Sequence, residues 1–433
     1  MEVVVIGAGL AGCEASLYLA NHNVKVKLYE MKKIKKNPAQ KMDNFCELVC
    51  SNSLKSTDIY SASGLLKEEI ILLGSSLIPL AKQCQVPSGG ALSVDRELFA
   101  QKVTEMIINH PNIDVIDKVV EDIDVSNPTI VACGPLIDDG LFQNLKKIIG
   151  DDSCYFYDAI APIVATDSID MLRAYWGNRY NKGETADYLN CLMNKEEYLN
   201  FYNELVTAKS VELHEFEKVK VFEGCMPVEI MAKRGEDALR YGPMKPVGIR
   251  DERYNEKPYA VVQLRKENLN SDALNLVGFQ TNLTFSEQKR VFSLIPALKN
   301  AEFLRYGTMH RNSYINAPKC LTKSSCLKNY KNIFIAGQLS GVEGYVESMA
   351  SGLFAGINML RYLQNKPPIE LSSKTILGAI INYITTAPEK GFQPMNANYG
   401  IVDAENMRDK QEKKKRIYDN SIKEINAVLT KIS

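Results

Sequence analysis

Three observations predict an α/β fold with an α+β unit set into it. Residues 2–30 run strand, glycine loop, helix, strand, acid. A short apolar strand ending in glycine recurs at residues 129–134 and again at 332–337. Between about 155 and 330 the chain changes character: Tyr and Asn become common, and turn dipeptides such as Gly242-Pro243 and Lys257-Pro258 recur. The expected division is therefore 1–154, an inserted 155–330, and 331–433 returning to the first unit and ending in helices.

The first run carries the most chemistry. Glu2-Val3-Val4-Val5-Ile6 reads as a buried strand and leads into Gly7-Ala8-Gly9-Leu10-Ala11-Gly12, a helix to Asn21, a strand over 24–29, and Glu30. Gly7 permits a tight turn, Gly9 lets the backbone approach a pyrophosphate, and Gly12 lets helix and strand pack closely. The helix N-terminus offers N–H groups and partial positive charge to phosphates. Glu30 is spaced to accept hydrogen bonds from an adenosine ribose. A glycine loop alone is weak, but the full unit predicts a Rossmann-type domain holding FAD or NAD(P).

The rest follows in order. Residues 32–57 read as irregular, 64–73 as a helix, 86–96 as a loop into a helix over 97–109 capped by Asp95, and 115–120 as a strand. Thr129-Ile130-Val131-Ala132-Cys133-Gly134 returns to the cofactor. In the insert, 259–264 and 274–279 read as strands. Asn332-Ile333-Phe334-Ile335-Ala336-Gly337-Gln338, then Gly341-Val342-Glu343-Gly344-Tyr345 and a helix over 348–363, bring a second helix N-terminus toward a flavin ring, which favours FAD as the resident group. The charge run at 404–416 reads as a solvated helix face.

Composition narrows the function classes. Hydrophobic residues make up 45% and charged residues 24%, ordinary for a globular protein. There is no apolar run of membrane-spanning length, and the fingerprint starts at residue 2, so neither a membrane segment nor a signal peptide is expected and a cytoplasmic location is. The ten cysteines lack C-x-x-C or zinc spacing, so no metal is expected. Lys plus Arg and Asp plus Glu are each 52, and any RNA binding then needs a local basic patch. Two thiols have unusual settings: Cys50 in a polar loop and Cys225 between Gly224 and Met226-Pro227. Each is a candidate reactive thiol or an inert one, and Glu223 beside Cys225 works against a low pKa. Cys13, Cys133, Cys154, Cys191, Cys320 and Cys326 read as filler.

Blocks along nearly the whole chain resemble the folate- and flavin-dependent RNA uracil-5 methyltransferases. They include residues 5–12, 47–53, 64–69, 86–96, 156–159, 167–171, 222–226, 242–248, 262–265, 278–281, 309–312, 337–348 and 392–396. The resemblance implies 5-methyluridine formation in structured RNA. The carbon comes from methylenetetrahydrofolate, is carried on FAD, and is reduced with electrons from NADH or NADPH. It implies Cys225 as the nucleophile at uracil C6, Cys50 as a second essential thiol, and Tyr345 beside the flavin. His310 and Arg311 are implied to hold folate. The cofactor set is Gly7, Ala8, Gly9, Leu10, Ala11, Gly12 and Glu30, with Arg96, Gly134, Gly337, Gln338, Glu343 and Gly344. Cys133, Cys46 and Leu192 depart from the family pattern. These departures, and 38 Lys against 14 Arg, resemble a branch that modifies 23S rRNA, so the RNA target stands evenly between 23S rRNA and the tRNA T-loop. The alternatives are a flavin-dependent NAD(P)H oxidoreductase without RNA methylation, and a SAM-dependent methyltransferase, whose loop normally lacks the packing glycine seen at Gly12.

Overall fold

Four β-branched residues follow one another over Val3–Ile6; Val3 and Val5 on one face are fully buried, and Ile6 on the other is buried too. Burial on both faces suits the middle of a parallel sheet. This strand is indeed the centre of five parallel strands, ordered Ile333–Ile335, Thr129–Val131, Glu2–Ile6, Lys25–Glu30 and Ile113–Asp117. The computed structural model describes residues 2–37, 39–150, 154–181, 185–211, 226–249, 257–405 and 407–432; for 154–159, 181, 310 and 311 it describes the backbone only. The helix Leu10–Asn21 is buried almost throughout, because the helix Tyr345–Leu363 lies across it. Glycine makes that contact possible: a Cβ on Gly352 would stand 2.2 Å from the Ala11 carbonyl oxygen.

The insert has its own sheet, ordered Ala174–Trp176, Tyr188–Met193, Ala260–Lys266, Ala273–Leu276, Ile163–Ala165 and Phe303–Arg305, each neighbouring pair antiparallel. Its core joins Val164, Leu189, Leu264 and Leu276 to Phe201 and Phe292 of two helices. One of them, Lys195–Thr207, starts with a reciprocal cap between Asn194 and Glu197. The chain enters and leaves this unit side by side, through the antiparallel ladder of Cys154–Ala159 with Met309–Tyr314.

Four boundaries differ from the sequence reading. The insert's core ends at Ala301, and Tyr314, Ile315, Leu321 and Leu327 pack into the first core, so the boundary expected at 330 lies too late. Residues 86–96 are not a plain loop: Gln85–Val86 and Ala91–Val94 pair in a hairpin that also takes Ser53–Ser56 from the supposedly irregular stretch. The strand expected at 115–120 is Ile113–Asp117, its register set by pairing with Val26–Glu30. The charged run reaches a helix only from Lys410, in Lys410–Ile432. No described helix is long and apolar enough to cross a membrane.

Candidate active site

The glycine loop has the geometry of a phosphate cradle. Gly7 sits at φ +101°, which a side chain resists, and a Cβ on Gly12 would lie 1.8 Å from the Gly7 carbonyl oxygen. Gly9 differs: nothing lies within 4 Å of where its Cβ would stand, so protein atoms do not demand glycine there. No side chain caps the Leu10–Asn21 helix at Gly9, which leaves its first-turn N–H groups facing a cleft. Glu30, buried at the end of its strand, accepts from Ala8 N at 2.7 Å and, through its other oxygen, from Lys32 N at 2.9 Å. Each oxygen keeps lone-pair capacity for a ribose hydroxyl.

Gly7, Gly9, Glu30, Gly134, Gly337 and Gln338 all line this cleft, bringing together residues far apart in sequence. It continues into a second chamber; Val49, Pro135, Leu136, Gln338 and Tyr345 border both. The second chamber is walled by Cys50, Glu343, Gly344 and Tyr345, with Gln280 from the insert. Gly344, at φ +120°, opens the 19-residue Tyr345–Leu363 helix without a side-chain cap, so a second helix N-terminus meets the chamber. These glycines and uncapped helix ends fit a dinucleotide carrying a flavin ring. Met395 ties the C-terminal block to this wall, donating its N–H to Gly341 and accepting from Glu343 N.

The Cys50 loop is held from several sides. The Tyr345 hydroxyl accepts from Cys50 N at 2.8 Å and from Ser51 N at 3.2 Å. Burial pushes its phenol pKa up, with Cys50 adding to the effect, so it stays protonated. Arg96 donates to the Leu48 carbonyl at 2.6 Å, Arg305 to that of Val49 at 2.5 Å, and Arg265 to Ser51 Oγ at 2.8 Å. Burial lowers the pKa of Arg265 and of Arg305; it opposes the charge of Arg96 too, but Glu267, 2.5 Å from its Nε, together with Tyr345 and Cys50 turns the net shift upward. The Cys13 and Cys133 thiols are pushed far up by burial, as inert cysteines should be.

The structure gathers the expected residues unevenly. Cys50, Tyr345, Glu343 and Gly344 meet in one chamber. Arg96, expected at the cofactor, does not line the cleft and instead anchors the Cys50 loop. Cys225 lies outside the described residues, as do the side chains of His310 and Arg311, whose backbones pair with Asp158 and Tyr157. Arg265 and Arg305 were not among the expected site residues. An arginine inside the otherwise apolar strand Ala260–Lys266 is the sequence signal that could have marked the first.

Two strand–glycine–helix units converging on one cleft define a dinucleotide-binding protein of the two-fold flavoprotein class. Comparison with known proteins narrows this. The family model described as "Glucose inhibited division protein A" matches residues 2–367. A protein of Caldicellulosiruptor bescii is 52% identical over 98% of this chain and 97% of its own length, and one of Fusobacterium nucleatum is 51% identical over 97% of each. Both are named methylenetetrahydrofolate–tRNA-(uracil-5-)-methyltransferase TrmFO. The chain belongs to the glucose-inhibited division protein A family and, within it, to the TrmFO family. The fold is shared with Aquifex aeolicus GidA, at a TM-score of 0.71 and 17% identity over the whole of this chain and 73% of that one.

Proposed function

We propose that this chain forms 5-methyluridine in tRNA, taking the carbon from methylenetetrahydrofolate, with FAD resident in the cleft and NADH or NADPH as reductant. The observation that carries the reading is the placement of Cys50: it faces a chamber that opens directly onto the dinucleotide cleft and a helix N-terminus. FAD bound there supplies one-carbon transfer and hydride chemistry. Gly9 and the uncapped Leu10 turn would hold its pyrophosphate, Glu30 its ribose, and the Gly344–Tyr345 turn its ring end.

The protein's own part is nucleophilic catalysis. Uracil C5 is a poor nucleophile. The Cys225 thiolate adds to C6, and the electron pair of the C5–C6 double bond makes C5 an enolate carbon able to take the one-carbon unit. Cys50, as thiolate, then removes the C5 proton; the pair left at C5 forms a double bond to the new carbon as that carbon parts from its carrier, and hydride delivered to the same carbon restores the C5–C6 double bond and expels Cys225. Val228, three residues beyond Cys225, donates its N–H to the carbonyl of Gln280, and Gln280 lines the Cys50 chamber. This supports an approach of the two thiols. Folate binding by His310 and Arg311 belongs to the same proposal.

The tRNA target rests on the printed names of relatives half identical over the whole chain. Nothing found supports the rRNA branch or a flavoprotein that only oxidises NAD(P)H. The test is label transfer from methylenetetrahydrofolate to T-loop RNA and to a 23S rRNA fragment, with adduct trapping on 5-fluorouridine RNA. Label enters the tRNA substrate; Cys225→Ala keeps flavin but loses label and adduct; Cys50→Ala loses label. Label in the rRNA fragment alone overturns the target, and an adduct that survives Cys225→Ala and vanishes with Cys50→Ala reverses the roles.

A further inference from the structure

Three guanidinium groups converge on four consecutive residues. Arg96 holds the carbonyl of Leu48, Arg305 that of Val49, and Arg265 the hydroxyl of Ser51. Cys50 is the residue they bracket. Two of the three arginines, with Glu267, come from the insert, whereas the loop they hold belongs to the first unit. We propose that Arg265 and Arg305 act with Arg96 as positioning residues that fix the Cys50 loop against the cleft and favour its thiolate.

The charges around the loop support this. Arg96, Arg265 and Arg305 each interact electrostatically with Cys50, whereas Tyr345 stays protonated and brings no charge. On the negative side, Glu267 is ion-paired to Arg96 Nε. Glu47 is taken up by Lys32 at 3.5 Å and by the backbone N–H groups of Lys41 and Met42. Lys41 lies close enough to Arg305 and Arg96 for their charges to lower its pKa, after burial, and so adds positive charge. Tyr188 lies beside Arg265, and burial raises its phenol pKa, which keeps it neutral. Glu343 and Lys55 line the same chamber; Glu343 accepts from Gln338 at 2.6 Å and Lys55 pairs with Glu347 at 2.7 Å. The three guanidinium groups with Lys32, Lys41 and Lys55 outnumber Glu47, Glu267, Glu343 and Glu347, and net positive charge favours thiolate over thiol.

This rests on Cys50 being the base proposed above, since only a thiolate can accept the C5 proton. It also ties thiol reactivity to the seating of the insert: an insert displaced from the loop withdraws two of the three charges.

The experiment is the pH dependence of iodoacetamide alkylation at Cys50, read by peptide mass spectrometry on the purified full-length protein. The wild-type midpoint lies below the ordinary thiol value of about 8.5. Arg265→Gln and Arg305→Gln each raise it by about one unit. Arg265→Lys and Arg305→Lys raise it less, because charge remains while the hydrogen bond to the loop is lost. Arg290→Gln, at an exposed pair with Glu204 and Glu287, leaves it unchanged. A wild-type midpoint at or above 8.5, or one unmoved in the folded Gln and Lys variants, overturns the proposal. If the Gln variants do not fold, the Lys variants decide. Alkylation needs no methyl transfer: a Cys50→Ala enzyme that still methylates removes Cys50 from the mechanism, while the midpoint still tests the arginines.

Discussion

Gly352→Ala adds one methyl group where two helices touch, and its effect can be worked out from the contact. The new Cβ would stand 2.2 Å from the Ala11 carbonyl oxygen and 2.6 Å from its Cα. Both are backbone atoms, so relief requires the helices to part by about 1 Å. Overpacking of this kind costs about 1–3 kcal/mol, and backbone contacts this short place it at the upper end. The gain of about 1 kcal/mol from replacing a helical glycine offsets only part of that. Gly356→Ala, one turn later, is the internal control: its Cβ would meet Ala15 at 3.3 Å and Tyr18 at 3.5 Å, which a shift of a few tenths of an ångström relieves. The expected results therefore diverge. Gly356→Ala is neutral to slightly stabilising, whereas Gly352→Ala loses about 2 kcal/mol net. It also loses flavin, because Ala11 sits in the first turn of the helix that faces the pyrophosphate. Denaturant unfolding and the ratio of flavin to protein absorbance measure both. Normal flavin content and stability in Gly352→Ala would falsify the packing argument.

Gly9→Glu should fold normally yet purify without flavin, because no protein atom occupies the space its side chain enters; a yellow variant would count against the phosphate assignment. Tyr345→Phe removes the acceptor for Cys50 N and Ser51 N. Each abandoned donor costs about 1 kcal/mol. Hydrogen exchange at those two amides should accelerate, and unchanged exchange would refute the tether. Burial pushes the carboxyl pKa values of Glu14 and Glu69 up from 4.5 to about 7. Because the folded value exceeds the unfolded one, their contribution is full below about pH 4.5 and is lost as pH rises through about 7. The stability difference between wild type and Glu69→Gln should therefore fall over that window; a difference that grows with pH reverses the sign.

The first unit was legible because its signals are local. Gly7, Gly9 and Gly12 follow a strand directly, and Ile333–Ile335 precedes Gly337 in the same way. Asp95 caps its helix as its position suggests, accepting from Glu97 N and Leu98 N. What escaped depends on distant partners. The Gln85–Val86 and Ala91–Val94 hairpin is short, polar and completed by Ser53–Ser56, so no apolar alternation announces it. Arg305 serves the site across 256 residues of sequence, by bonding a backbone carbonyl, which has no side-chain signature. Arg96 was assigned to the cofactor because of the block it sits in, but its geometry turns it toward Leu48 and Glu267.

The ladder between Cys154–Ala159 and Met309–Tyr314 also has a consequence for how the chain folds during synthesis. The edge strand Ile333–Ile335 pairs with Thr129–Val131, which leaves the ribosome about 200 residues earlier. Closing so long an unstructured loop is entropically costly and slow. An insert that folds first draws its own ends together and shortens that loop from about 200 residues to the roughly 40 that flank the ladder. The interrupting unit therefore matures before the sheet that it interrupts, and the dinucleotide cleft, which needs Gly337 and the Tyr345–Leu363 helix, is completed last. Substitutions in the insert's core, at Phe201 or Phe292, should lower the yield of flavin-loaded protein though they touch no cofactor residue.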